Sequence, residues 1–285
     1  MQSIMIYSTT VIISTYNQPQ SLRKCLLGFL AQTVRNFQLV VADDGSGPET
    51  AMLLQKREFA GLGIQHIWQP DLGWRRPRVL NLALAQIEAD YCIFIDGDCI
   101  PRADFVEAHL SHRRANCYIS GSKVNLDPHV HAQITDYDIR TNRVFDIEFL
   151  AALDPKLWKS RYRLQRSRWN GLFNLLTYRY RMLNGSNASA WREDILKVNG
   201  FDETFGYGSD DREFGMRLSN AGVKSRWLKF SLVQLHQGHR GNPNHEQIRR
   251  NRRRFRKLFF TRQSWVPDGI DTILERERER RVKAA

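Results

Sequence analysis

The sequence contains no unbroken apolar run near the roughly 20 residues that a helix needs to cross a bilayer. Its longest, around residues 10–14 and 91–95, are strand-sized. A membrane-spanning chain is therefore not expected. The N-terminal stretch MQSIMIYSTTVIIST lacks a basic leader and a small-residue cleavage site before its apolar run, so it does not read as a signal peptide, and the expected compartment is the cytoplasm. Cysteine is scarce as well. Cys25, Cys92, Cys99 and Cys117 show no CxxC spacing and fall in or beside apolar segments, which suits reduced packing residues rather than a disulfide framework or a zinc site.

Acidic residues are outnumbered, 30 Asp and Glu against 43 Lys and Arg, and the net charge of +13 calls for a polyanionic neighbour. Nucleic acid, an acidic membrane face and phosphorylated substrates all satisfy it. Basic residues gather at 156–181 and 249–262, whereas the first hundred residues are nearly balanced, so the anionic partner is expected late in the chain. With 42% hydrophobic residues, 285 residues are enough for a substantial core.

From about residue 10 to 122, strand-like and helix-like segments alternate. This predicts an α/β fold with a mostly parallel central sheet flanked by helices. TTVIIS reads as the first strand and FQLVVA as the second. Between them Leu22, Cys25, Leu26, Phe29 and Leu30 have the spacing of a helix with one buried face. Residues 64–68 read as a third strand, 79–87 as a helix, and YCIFI at 91–95 as a strand buried on both faces. Two strands end in acids, Asp43 with Asp44 and Asp96 with Asp98. Ligands of open α/β sheets bind beyond the carboxyl ends of the strands, so these acids are expected to share one site. Residues 127–181 lose the rhythm and read as a helical insertion on the acceptor side, and 210–221 read as a helix stopped by Gly222. The expected organisation is a catalytic domain over 1–245 followed by a basic helical tail over 246–285, whose ERERERR end frays.

Four motifs carry chemistry. IDGDC at 95–99 sets two carboxylates around a glycine directly after a buried strand. Such oxygen ligands suit Mg²⁺ or Mn²⁺ bridging the protein and a diphosphate, although an Asp-capped turn has the same residues. VVADDGS at 40–46 is a second acidic strand end, where a carboxylate fits the N3 proton of uracil and Tyr16 of STYN a stack on the ring. A plain turn with a core tyrosine fits these residues too. GYGSDDREF at 206–214 opens a helix with two acids, which complement its dipole and suit a general base beside an acceptor hydroxyl. LHQGHRGNP at 235–243 offers His236 and His239 to a metal shell or to the core. Trp74, Trp191 and Tyr207 can stack on sugar faces or pack inside.

In order along residues 10 to 245, the blocks VIISTYNQ, VVADDGS, DLGWRRPRVLN, YCIFIDGDCIP, NGSNASAW and GFDETFGYGSDDREFGMRL resemble glycosyltransferase family 2 of the GT-A superfamily, especially bacterial transferases for lipopolysaccharide and capsule sugars. The last block also resembles the C-terminal motif of β-1,4-galactosyltransferases and chondroitin polymerases, with Tyr207 where Trp is usual and Asp210-Asp211 where Glu-Asp is usual. The resemblance implies a GT-A (Rossmann-like) fold, a hexosyltransferase activity, a nucleotide-sugar donor (a UDP-sugar first) and Mn²⁺ or Mg²⁺. It makes Ser14, Tyr16 and Asp44 nucleotide contacts and brings Arg76 and Asn81 to the donor. Asp98 becomes the main metal ligand, with Asp96 near ribose and metal, and His236 the last ligand with His239 in reserve. Asp211 becomes the base and Asp210 an acceptor contact.

The implied reaction is a single in-line displacement with inversion onto a saccharide or lipid-linked saccharide acceptor. A basic nucleic-acid-binding protein would use the arginine clusters, but its phosphates would be repelled by ordered acids lacking a metal, so no nucleic-acid partner is expected. A nucleotidyltransferase shares the sheet and the acids, yet commonly needs a glycine-rich basic loop where STYNQPQ stands. Finally, IRRNRRRFRKLFFTRQ at 248–263 is expected to hold the enzyme peripherally on the anionic inner face of the membrane. Its alternative is a solvated basic helix with Phe255, Leu258 and Phe259 packed on the catalytic domain.

Overall fold

Strand β1 (Thr9–Thr15) is buried along its whole length, and its side chains divide by the period of two, Val11 and Ile13 entering one core and Ile12 the other. A strand of this kind belongs at the centre of a covered sheet. The computed structural model describes residues 8–165, 167–178, 183–238 and 245–275. Its further strands are β2 (Gln38–Asp43), β3 (Gln65–Trp68), β4 (Tyr91–Asp96), β5 (Cys99–Pro101), β6 (Cys117–Ser120), β7 (Ser122–Leu126), β8 (Asn187–Trp191), β9 (Lys224–Trp227) and β10 (Val233–Gln237). The main sheet has the order β3-β2-β1-β4-β8-β6-β9. Strands β1 to β4 pair in parallel, as do β6 and β9, and β8 alone runs against its neighbours. The mostly parallel α/β sheet read from the sequence is the one observed.

Helices cover both faces. On one lies α1 (Pro19–Leu30), with Leu22, Cys25, Leu26 and Phe29 buried, preceding the short α2 (Pro48–Leu54). On the other lies α3 (Arg76–Gln86), whose Val79, Leu80, Ala83 and Leu84 enter the second core. Beyond α4 (Phe105–His112) come five short helices, α5 (Pro128–Gln133), α6 (Asp136–Arg140), α7 (Ile147–Leu153), α8 (Arg161–Leu164) and α9 (Asn170–Leu176). Val130, Ile139 and Leu150 join the same core as α1. Arg23 of α1 pins this region by ion pairs to Asp136 at 2.7 Å and Glu58 at 3.2 Å. The chain then runs through α10 (Arg192–Lys197) and α11 (Asp210–Asn220).

A small second sheet, β5-β10-β7, decides the position of one site residue. Its antiparallel β10–β5 register sets His236 opposite Cys99, and the Gln237 amide donates to the Asp98 carbonyl, so His236 is delivered next to the end of β4. The described residues after 245 pack onto the part of the chain before them. Helix α12 (His245–Thr261) buries Asn251 and Leu258, and Val266, Ile270 and Ile273 behind it are also buried, Ile270 in the second core. All four cysteines are free and buried.

Candidate active site

The carboxyl ends of β1 and β4 meet in register, Ser14 beside Asp96. The Ser14 hydroxyl donates to Asp96 Oδ1 at 2.8 Å. β1 passes close to Gly97, where a Cβ would lie 3.1 Å from Thr15 Oγ1 and 3.2 Å from the Ser14 carbonyl. At the end of β2 the two acids part ways. Asp43 turns inward, accepting from the Ser46 amide at 2.8 Å and meeting His66 Nε2 at 3.0 Å. Asp44 faces the cavity, accepts from Gln69 Nε2 and the Arg75 amide, and has its pKa raised by burial.

Arg76, at the start of α3, ties the strand ends to the helix of the last motif. Its guanidinium donates to Ser14 Oγ at 3.0 Å, Asp96 at 2.8 Å and Asp210 at 2.9 Å. Burial alone would lower its pKa, but Asp96, Asp210 and Asp211 together raise it. Asp210 is buried, and burial, with Asp211 and Asp96 nearby, pushes its carboxyl up to about 6 against the opposing pull of Arg76. Asp211 is less buried; its Oδ2 accepts from the Gly185 amide at 3.1 Å and its Oδ1 from the Arg212 amide at 2.8 Å. Tyr207 packs edge-on against Trp74, ring centroids 5.9 Å apart.

These groups line one cavity of ≈ 440 Å³, which brings together Ser14, Tyr16, Asp44, Arg76, Asp96, Asp98, Asp210, Asp211 and His236. Tyr16 stands at its mouth, 46% exposed, its hydroxyl donating to Asp71. Asp98 Oδ2 lies 3.2 Å from His236 Nε2. No cluster of three or more His, Cys, Asp or Glu forms a closed metal cage among the described residues. A carboxylate facing an imidazole, with Asp96 one residue beyond a glycine, nevertheless has the donor chemistry for Mn²⁺ or Mg²⁺ that completes its shell with ligand oxygens.

Two candidates lie elsewhere. Asn81, expected to approach the donor, is fully buried and binds backbone instead, accepting from the Phe201 amide and donating to the Phe201 carbonyl, each at 2.8 Å. Trp191, offered as a sugar platform, packs edge-on against Tyr91 and donates its indole N–H to the Arg114 carbonyl. Nor do the described residues of the insertion expected on the acceptor side line this cavity. His239 lies outside the described residues. Lys123 of β7 does line the cavity. It escaped the sequence reading because a lone strand lysine has no motif, and strand pairing alone brings it here.

Residues 10–144 match the family model described as glycosyl transferase family 2, and residues 173–240 that described as the N-terminal domain of galactosyltransferase. The chain is 24% identical over 253 residues to chondroitin synthase of Escherichia coli, covering 85% of this chain and 36% of that protein. It is 27% identical over 228 residues to validoxylamine A glucosyltransferase of Streptomyces hygroscopicus subsp. jinggangensis, covering 75% and 52%. It thus spans about a third to a half of these relatives. Among solved structures, the mannosyltransferase PcManGT from Pyrobaculum calidifontis, in complex with GDP-Man and Mn²⁺, superposes with a TM-score of 0.57 at 16% identity, covering 84% of this chain and 59% of that one. S. aureus TarS 1–349 in complex with UDP-GlcNAc gives 0.56 at 15% identity, covering 82% and 60%.

Proposed function

The chain belongs to glycosyltransferase family 2 of the GT-A fold, and from that premise we propose that it transfers a hexose from a nucleotide-sugar, first a UDP-sugar, to a saccharide hydroxyl with inversion. The observation that carries this reading is the convergence of two acidic strand ends, His236 and the acidic start of α11 on one cavity. In this reading Tyr16 and Asp44 at the cavity wall would meet the base and ribose, and the hydrogen-bonded Ser14, Arg76 and Asp96 would face the diphosphate. Asp98 and His236, with Asp96 beside them, would hold Mn²⁺ or Mg²⁺. When bound, that ion supplies positive charge to the departing diphosphate.

Asp211 takes the proton of the acceptor hydroxyl as the oxygen attacks the anomeric carbon from the face opposite the leaving nucleotide. Its carboxylate is held by the Gly185 and Arg212 amides at the wall of the cavity. Asp210, tied to Arg76, orients the acceptor. The Trp74–Tyr207 pair provides apolar faces on which a sugar ring can lie. The acceptor in this reading is a saccharide or lipid-linked saccharide of bacterial surface polysaccharide or lipopolysaccharide synthesis. Titration with UDP, GDP and dTDP in the presence of Mn²⁺, followed by a screen for nucleotide-sugar hydrolysis, tests the reading. UDP binding with release of one sugar is expected, and a chain that binds no nucleoside diphosphate and hydrolyses no donor would sink it.

A further inference from the structure

The loop at 206–209, between the glycines and acids of the last motif, is held from outside that motif. Gly208 (φ +90°) and Ser209 (φ +74°) place two successive residues in the left-handed region, so the loop cannot pass its carbonyls to a regular ladder and needs other donors. One side chain supplies them. Asn251 of α12, 1% exposed, shares the two N–H bonds of Nδ2 among the carbonyls of Gly206 at 3.0 Å, Tyr207 at 3.1 Å and Gly208 at 2.9 Å. The Gln247 side-chain amide, one turn earlier on α12, lies directly over Gly206. Gln247, Asn251, Arg254 and Leu258 follow at spacings of four, three and four residues, a single helix face.

We propose that Asn251 is a positioning residue for sugar transfer: by holding three consecutive carbonyls it sets Tyr207 and the first turn of α11, and through them the place of Asp211 against the acceptor oxygen. This rests on the transferase reading above. Asn251 does not line the cavity and acts through the loop. A displacement of about 1 Å in such a catalytic group is enough to cost on the order of 10²-fold in rate without a change in donor binding.

The test uses the full chain, with donor hydrolysis followed against nucleotide-sugar concentration, UDP titrated in the presence of Mn²⁺, and unfolding midpoints recorded. Asn251→Leu, with the same branching but without a donor, is expected to lower kcat by about 10- to 100-fold while KM for the donor and UDP affinity stay within about threefold. Asn251→Asp turns a carboxylate toward three carbonyls and should be lower still. Should Asn251→Leu not fold, Asn251→Ser keeps one donor and serves the same comparison, with a smaller loss of kcat. Arg254→Ala is the control. Arg254 anchors the same helix to Asp202 at 3.0 Å and to Thr204, so its loss should lower the unfolding midpoint and spare kcat. Retained kcat in the Asn251 variants, a parallel loss of UDP affinity, or the same kcat loss in Arg254→Ala would each overturn the inference. A wild-type chain that binds none of UDP, GDP and dTDP would overturn the transferase reading and this inference with it.

Discussion

Asp98→Asn keeps the shape of the side chain but removes a charge beside His236. It should reduce transfer by about 10²-fold or more and weaken UDP binding in Mn²⁺ while leaving the fold intact. Metal-dependent turnover at the wild-type rate would remove Asp98 from the metal shell. Asp211→Asn should behave differently, with kcat down by about 10²- to 10⁴-fold and UDP affinity preserved, because a base is needed only in the transition state; a loss of UDP affinity instead would show that Asp211 is not primarily the base. Asp210 makes a stability prediction. Its carboxyl is pushed up to about 6 by burial, so the folded state holds the proton more tightly than the unfolded chain does. The stability from that proton is complete below the ordinary carboxylate pKa and is lost as pH rises through about 6. In unfolding scans without nucleotide, the difference between Asp210→Asn and wild type should therefore move in favour of the variant from pH 4.5 to pH 7.5, by on the order of 2 kcal/mol or 5 °C. A difference that does not change with pH would mean that Asp210 is ionised in the fold at both.

At the scale of elements, the turn after β2 is a test of close packing. Gly45 has φ +96°, and a Cβ there would lie 2.6 Å from the backbone of Asp71. Gly45→Ala should cost about 2–4 kcal/mol and also weaken UDP binding, since the displaced segment bears the Asp71 that meets Tyr16 and the Arg75 amide that meets Asp44. Gly63→Ala, also at positive φ but with open space around it, should cost about 1 kcal/mol and leave UDP binding alone. Equal nucleotide affinities in the two variants would argue that the turn is not part of the donor site. The same elements show what was legible. β1, β2, β4 and α1 declared themselves because apolar spacing follows directly from which faces are buried. The approach of His236 to Asp98 depends on β10 pairing with β5 across more than a hundred residues, and main-chain hydrogen bonds leave no side-chain spacing to read. The burial of Asn81 away from the cavity was not legible, because a buried amide that binds its own chain and one that binds a ligand look alike in sequence. The docking of Val266, Ile270 and Ile273 had a signal, an apolar spacing of four and three, which the charge around it hid.

For the whole molecule, the question is what the excess of positive charge meets. No helix among the described residues is long and apolar enough to cross a membrane, but α12 presents an asymmetric surface. Asn251, Arg254 and Leu258 fix one face to the catalytic domain, which leaves Arg249, Arg250, Arg252, Arg253, Arg256 and Lys257 exposed on the other. Of the three residues that a merely solvated helix would pack inward, Leu258 is buried and Phe255 half-buried, but Phe259 is 55% exposed, and Phe260 beside it is 82% exposed. Each basic residue near an anionic bilayer contributes about 1 kcal/mol before screening, and exposed phenylalanines add burial in the headgroup region. The enzyme should therefore sediment with phosphatidylglycerol vesicles at low salt and dissociate as salt rises. Replacing Arg249, Arg250, Arg252 and Arg253 by Ser should weaken binding by about 10²-fold or more; Arg254 is left in place because it holds the helix to Asp202. Phe259→Ser with Phe260→Ser should weaken binding while leaving its salt dependence unchanged, because those side chains contribute apolar burial and no charge. Equal recovery in the supernatant with anionic and neutral vesicles would leave the basic face as a solvated surface, and the late-chain charge would then have to be assigned to an anionic acceptor glycan instead.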